Sequence, residues 1–271
     1  MAIRTEVVNC GVCPGYLALP ERAQMPLPGV IVIQEIMGVT DHIEDVTRRI
    51  AAAGYVALAP DLYAAGGERP APLGRDRMEK AMAFMRTLPP GAAFGDPSAR
   101  DAALARLPAA ESAALRETVG AMMGQFPRQP ELASTLRGAV RWLRRERPET
   151  RDQKVGCVGF CMGGGLSALL ACEEPELSAA VIYYGTCPPA DKAAGIACPL
   201  LGFYGEKDAR VTAGVPAFAE LLAAAGKSFE HHVYPGAMHA FFNDDGGAYN
   251  VAAARDSYPR MLAFFQRHLV S

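Results

Sequence analysis

The sequence predicts an α/β fold, a mostly parallel open sheet with helices on both faces, and three observations point to it. Short apolar runs alternate along the chain with amphipathic stretches of helical period, as a parallel sheet with covering helices requires. The run Gly29-Val30-Ile31-Val32-Ile33 is continuously apolar rather than alternating, as suits a strand covered on both faces. With 271 residues, half of them hydrophobic, the chain can bury one large core, so one domain spanning 1–271 is expected.

In chain order, an N-terminal hairpin is expected at about 3–18. Core strands follow at about 29–34, 54–59, 154–159, 178–184, 198–204 and 228–234. Helices are expected near 41–53, 132–146, 162–172, 212–225 and 248–269. Between Asp61 and Arg137 lie further helical stretches, near 75–87, 99–106 and 110–125, broken by Leu88-Pro89-Pro90-Gly91 and Gly95-Asp96-Pro97. They read as a helical insertion at about 65–130, a candidate cap over the sheet edge.

The chemistry centres on Gly159-Phe160-Cys161-Met162-Gly163, which follows the strand-like Lys154–Val158 and precedes the helix-like Gly164–Leu170. This is the pattern of a nucleophile elbow, with cysteine at its apex. Glycines two before and two after relieve the crowding of an abrupt strand-to-helix turn. The helix starting there aims free N–H groups and its positive dipole end at the sulfur, which favours a thiolate. Two later loops supply partners. The apolar run Cys198–Gly205 ends in Glu206-Lys207-Asp208, and the run Phe229–Tyr234 leads to Pro235-Gly236-Ala237-Met238-His239. Nucleophile, then Asp, then His is the chain order of the α/β-hydrolase fold. Asp208 should accept from one ring nitrogen of His239 and fix the tautomer facing the sulfur. His231 and His232 lie within a strand pattern, His42 begins an early helix and His268 falls near the end of the last, so structural or solvated roles are expected for all four.

These stretches, together with Val30–Gly38, Ala59–Tyr63, Tyr183-Tyr184-Gly185 and His239–Asn243, resemble the dienelactone hydrolase (carboxymethylenebutenolidase) family through most of the chain outside about 65–130. The resemblance implies a cysteine hydrolase of esters or lactones with Cys161, Asp208 and His239 as triad and Glu35 contacting the thiol. Glu35 has a reading of its own, because it emerges from the Gly29–Ile33 strand at the sheet's carboxyl edge, where open parallel sheets bind ligands. A carboxylate there can take or hold the thiol proton. The backbone N–H groups of Ile36 and Met162 are the candidate oxyanion donors. The family resemblance also implies arginines that hold a substrate carboxylate. One such position, four residues after the catalytic histidine, is Asn243 here, and Arg77 is the candidate for the other.

Composition narrows the alternatives. Net charge is −2 and no basic patch argues for nucleic acid; the run Arg141-Arg144-Arg145-Arg147 reads as a solvated helix end. There is no stretch of eighteen apolar residues, and Met1–Glu6 lacks a signal-peptide core. A cytoplasmic protein, a monomer or small homo-oligomer without membrane partners, is expected. Seven cysteines suit a reducing compartment better than a disulfide framework. Cys10-Gly11-Val12-Cys13 invites a metal reading, but no second pair or histidine lies nearby, so neither metal nor cofactor is expected. Cys157, Cys172, Cys187 and Cys198 read as small apolar fillers. Two other classes stay open at this point: a non-hydrolytic ligand-binding protein on the same fold, and an acyltransferase using the same cysteine.

Overall fold

The computed structural model describes residues 2–89 and 97–270. Eight strands form one sheet: β1 (Ile3–Asn9), β2 (Pro14–Pro20), β3 (Gly29–Ile33), β4 (Val56–Pro60), β5 (Val155–Phe160), β6 (Leu177–Tyr183), β7 (Leu200–Gly205) and β8 (Phe229–Tyr234), in the order β1-β2-β4-β3-β5-β6-β7-β8. β1 and β2 make the expected antiparallel hairpin and β2 runs antiparallel to β4, while β4, β3 and β5 to β8 are parallel. The chain leaves β3 in one direction to make β4 and returns past it to make β5. The carboxyl ends of β3 and β5 therefore flank the point where strand order reverses, the place at which such sheets leave a crevice.

The helices are α1 (Asp41–Ala52), α2 (Arg75–Arg86), α3 (Pro97–Leu104), α4 (Ala109–Met123), α5 (Gln129–Arg145), α6 (Met162–Glu173), α7 (Ala209–Thr212), α8 (Val215–Ala224) and α9 (Val251–Phe265). α1 shows why they form. Thr40 caps it by accepting from the Ile43 N–H, Asp41 and Glu44 occupy its first turn, and Ile43, Val46, Thr47 and Ile50 make one buried stripe. The strands sort their side chains by parity. Ile31, Ile33 and Cys157 join Leu136 and Val140 of α5 and Leu166 and Leu170 of α6 in one core, while Val30, Val32, Val158 and Phe160 join Ile43 and Val46 of α1 and Met261 and Phe264 of α9 in another.

Strand and helix positions agree with the expectations to within a few residues at most ends. The helix expected at 212–225 begins later, at Val215 behind Gly214 with Pro216 in its first turn, and the short α7 precedes it, ending at Thr212. The last helix starts at Val251, later than expected, because Asn250 caps it by accepting from the Ala253 N–H at 3.1 Å. The segment expected as an insertion at about 65–130 forms α2, α3 and α4; the break expected at Gly95-Asp96, like Pro90-Gly91, lies outside the described residues. Met78, Ala81 and Met85 of α2 and Leu115, Val119 and Met122 of α4 are buried in the core shared with α5 and α6. Among the described residues no helix is long and apolar enough to cross a membrane.

Candidate active site

Phe160 ends β5 and Met162 begins α6, which leaves Cys161 alone in the turn at φ 57°, ψ −116°. A side-chain-bearing residue holds such a positive φ only where its surroundings dictate it. Those surroundings are glycine contacts: a Cβ on Gly159 would run into the carbonyl of Gly163, and one on Gly163 into the carbonyls of Ile33 and Gln34. The Cys161 N–H donates to the Tyr183 carbonyl at 3.1 Å, so the end of β6 holds the elbow as well.

Asp208 follows β7 and His239 follows the turn after β8, so both side chains stand at the same sheet edge as Cys161. The His239 Nδ1–H donates to Asp208 Oδ2 at 2.5 Å, and Asp208 is largely buried. Burial opposes the charged imidazolium, but the hydrogen bond with Asp208, and then the hydrogen bond and charge of Cys161, outweigh it and leave the pKa raised to about 10. The ring thus has Asp208 on one side and the Cys161 thiol on the other.

Glu35, on the loop after β3, is 6% exposed. Asn243 Nδ2 donates to its Oε2 at 2.8 Å, and the Tyr184 hydroxyl donates to its Oε1 at 3.5 Å. Burial, followed by the nearby Glu35 charge, pushes the Tyr184 phenol well above its ordinary range and keeps it a donor. Tyr184 sits at φ 40° just past β6 and turns its ring edge-on to His239 at 5.2 Å between centroids. The sequence offered Tyr184 only as part of a resembling stretch; its contact with both Glu35 and His239 is a finding of the structure.

The loop carrying Ile36 is anchored from the segment after β4. Tyr63 donates its hydroxyl to the Ile36 carbonyl at 2.8 Å, the Leu62 N–H donates to Gln34 Oε1 at 3.1 Å, and the Arg69 guanidinium reaches the Val39 carbonyl at 3.4 Å while paired with Asp61 at 2.6 Å. Met162 is the first residue of α6, so its N–H has no acceptor within its own helix.

Cys161, Glu35, Ile36, His239 and Asn243 line one cleft of about 380 Å³, together with Glu79, Met82 and Arg86 of α2. A larger hollow of about 1140 Å³ among α2, α3 and α4 contains none of Cys161, Asp208, His239 and Glu35, so size does not locate the chemistry. Arg77 lies on that side and not in the cleft. Its guanidinium donates to Thr118 Oγ1 at 3.0 Å, the Ala114 carbonyl at 2.7 Å and Glu117 at 2.8 Å, tying α2 to α4. The reason is helical phase: Glu79, Met82 and Arg86 share the stripe facing Cys161, whereas Arg77, Lys80 and Phe84 share another. Arg77, the candidate for a substrate-carboxylate contact, ties α2 to α4 and is not among the residues that line the cleft with Cys161. Asn243 does line the cleft, but its amide is committed at both ends, to Glu35 and to the Asp245 N–H at 3.1 Å.

His42, expected to be structural or solvated, borders the cleft with its ring buried edge-on to Phe160 and Phe242, Nδ1 3.0 Å from Asp244 Oδ1 and Nε2 buried without a partner. The Cys10 and Cys13 thiols are hydrogen-bonded at 3.7 Å without a disulfide, and all seven cysteines are free. Among the described residues no group of three or more His, Cys, Asp or Glu side chains is placed to hold a metal.

The family model of the dienelactone hydrolases matches residues 13–269, nearly the whole chain. The chain belongs to the dienelactone hydrolase family. A Saccharolobus solfataricus protein named "Putative carboxymethylenebutenolidase" is 33% identical over 257 residues, covering 93% of each chain. A Yersinia pestis protein of the same name is 30% identical, over 100% of this chain and 92% of its own. The crystal structure of a Klebsiella pneumoniae protein described as "Putative Dienelactone Hydrolase" superposes with a TM-score of 0.73 at 29% identity, covering 99% of this chain and all of that one. The fold is that of the α/β-hydrolases, and the protein is a dienelactone hydrolase-like hydrolase of esters or lactones.

Proposed function

We propose that Cys161 is the nucleophile of this hydrolase. The observation that carries the reading is the continuous line from Asp208 through His239 to Cys161 at the mouth of one cleft. The sulfur attacks the carbonyl carbon, and the carbonyl oxygen takes the charge against the N–H groups of Ile36 and Met162. The tetrahedral intermediate collapses to a thioester as His239 gives its proton to the departing alkoxide. His239 then removes a proton from water, which attacks the thioester and releases the acid and the thiolate. Asp208 keeps Nδ1 protonated, so Nε2 is the nitrogen that exchanges protons with the reacting groups.

Glu35 is the second base of the site. Held by Asn243 and Tyr184 in the cleft that Cys161 also lines, it accepts the thiol proton when His239 is already charged, so attack need not wait for the imidazolium to lose its own. The 65–130 segment is a cap in this reading, supported by Met82 and Arg86 of α2, which line the same cleft as Cys161 and His239. With Arg77 tied to α4 and the Asn243 amide engaged, the cleft lacks the two-arginine carboxylate clamp that the family resemblance implied. A cytoplasmic location is part of this reading, supported by the seven free cysteines, which suit a reducing compartment.

The test is turnover of a chromogenic short-chain ester by wild type and Cys161→Ala, with added thiols and amines as competing acceptors. Hydrolysis that disappears in Cys161→Ala supports the reading. Acyl transfer in place of hydrolysis would make the protein a transferase, and full activity in the variant would remove Cys161 from the chemistry.

A further inference from the structure

The two cysteines of the N-terminal hairpin have no part in the proposed chemistry. β1 and β2 pair Val8 with Gly15 and Asn9 with Pro14, so Cys10 and Cys13 are the next facing pair, and the Cys10 N–H donates to the Cys13 carbonyl at 3.0 Å. Gly11, at φ 82°, lets two residues close the turn between them. Antiparallel neighbours bonded in this way stand about 5.5 Å apart at Cα. That lies inside the span of about 4.4–6.8 Å that a disulfide bridges. The sulfurs are already 3.7 Å from each other, and reaching the bonded distance of about 2.05 Å needs a small rotation of two side chains, with no change of strand register.

Both thiols are buried, Cys10 at 0% and Cys13 at 3% exposure, behind a turn whose Gly11 is exposed and whose Val12 is half-buried. The turn rests on α5, with Val12 against Gly138 and Gly11 beside Trp142. Local opening of so short a turn admits a molecule the size of hydrogen peroxide. The two sulfurs are not equivalent. As a thiol, Cys10 donates to the Cys13 carbonyl at 3.1 Å; as a thiolate it accepts from the Cys13 thiol. That hydrogen bond lowers Cys10 to about 7 against the effect of burial, and the same bond, then burial and the Asp61 charge, hold Cys13 well above its ordinary range. Cys10 is therefore the sulfur that ionises first.

We infer that Cys10 and Cys13 are a reversible oxidation site, which a hydroperoxide converts to an intramolecular disulfide with Cys10 attacking and Cys13 resolving. The Cys10 sulfur attacks one peroxide oxygen and breaks the O–O bond, leaving a sulfenic acid, and the departing hydroxide takes up the proton that Cys10 lost. The Cys13 sulfur then attacks the Cys10 sulfur and expels the hydroxyl, which leaves as water with the Cys13 proton. Two thiols thus give up two electrons and two protons, and hydrogen peroxide becomes two waters. A dithiol reductant returns both by exchange and becomes a disulfide itself. In a reducing compartment the pair rests as the dithiol.

The test treats the reduced full chain with rising amounts of hydrogen peroxide, unfolds it in N-ethylmaleimide and digests it with trypsin. The peptide Thr5–Arg22 carries Cys10 and Cys13 and no other cysteine, and Ala193–Lys207 carries only Cys198, which is also buried. The expected product is Thr5–Arg22 lighter by two hydrogens and free of maleimide, at doses that leave Cys198 fully labelled, with both labels restored by dithiothreitol. Two maleimides kept on Thr5–Arg22 up to the dose that oxidises Cys198, or a disulfide from either cysteine to another peptide, would overturn the proposal. Dimedone, which traps sulfenic acids, reads the order of attack: it should add to Cys10 in Cys13→Ser and leave Cys13 bare in Cys10→Ser. An adduct on Cys13 with none on Cys10 would overturn that order. None of these readouts uses ester turnover, so they stand apart from the hydrolase reading.

Discussion

Asn243 donates its amide to Glu35 across 2.8 Å, from the fourth position after His239. A neutral donor at this place orients the buried carboxylate without neutralising it. Asn243→Ala should remove a charge-assisted hydrogen bond worth about 1.5–3 kcal/mol. The expected result is a drop in kcat/KM of roughly tenfold to a hundredfold with little change in melting temperature. Steady-state kinetics against a neutral ester checks it; an unchanged rate would mean that Glu35 needs no orientation.

Asn243→Arg should not create a carboxylate clamp. The guanidinium would meet Glu35 first and pair with it, since that acceptor is already within hydrogen-bond reach of the side chain. The neutral ester should then be hydrolysed more slowly, with no gain in KM for an acidic one. A markedly lower KM for the acidic ester in this variant would show that the arginine reaches substrate instead.

Tyr63 holds the Ile36 carbonyl at 2.8 Å from a buried position. Tyr63→Phe removes that anchor and keeps the ring packing, costing about 0.5–1.5 kcal/mol of stability. If Ile36 supplies an oxyanion donor, kcat should fall several-fold while KM holds, because a donor aimed at developing charge acts in the transition state. Equal changes in kcat and KM would assign Tyr63 to substrate binding instead.

His239 also sets a pH dependence of stability. Its folded pKa of about 10 lies above the ordinary imidazole value, so its protonated form contributes stability that is fully present below about pH 6.5 and lost as pH rises toward about 10. Urea denaturation of wild type and His239→Gln should therefore differ most near the acid end of that window and converge through it. A difference that grows with pH would contradict the imidazolium.

The sheet was legible in the sequence because its strands are short, apolar and bounded, and because the elbow at Cys161 and the loops of Asp208 and His239 each follow such a strand. Glu35 was legible for the same reason. What the sequence hid was side-chain phase and partnership. Arg77 and Arg86 lie on one helix, and only the packing of α2 decides that Arg86 meets the cleft while Arg77 meets Thr118 and Glu117. Asn243 reads as a free polar residue until the fold brings Glu35 to it across 208 positions. His42 looks like an ordinary helix-start histidine, since Asp244, which fixes its ring, is 202 positions away.

The central claim is that Cys161 carries the acyl group. Mixing the protein with an activated ester, quenching in acid within the first turnover and locating the added mass by peptide sequencing tests it directly. The acyl group is expected on Cys161, labile to hydroxylamine as a thioester is, and absent from Cys161→Ala. An acyl group on any other residue, with turnover intact in Cys161→Ala, would contradict the account.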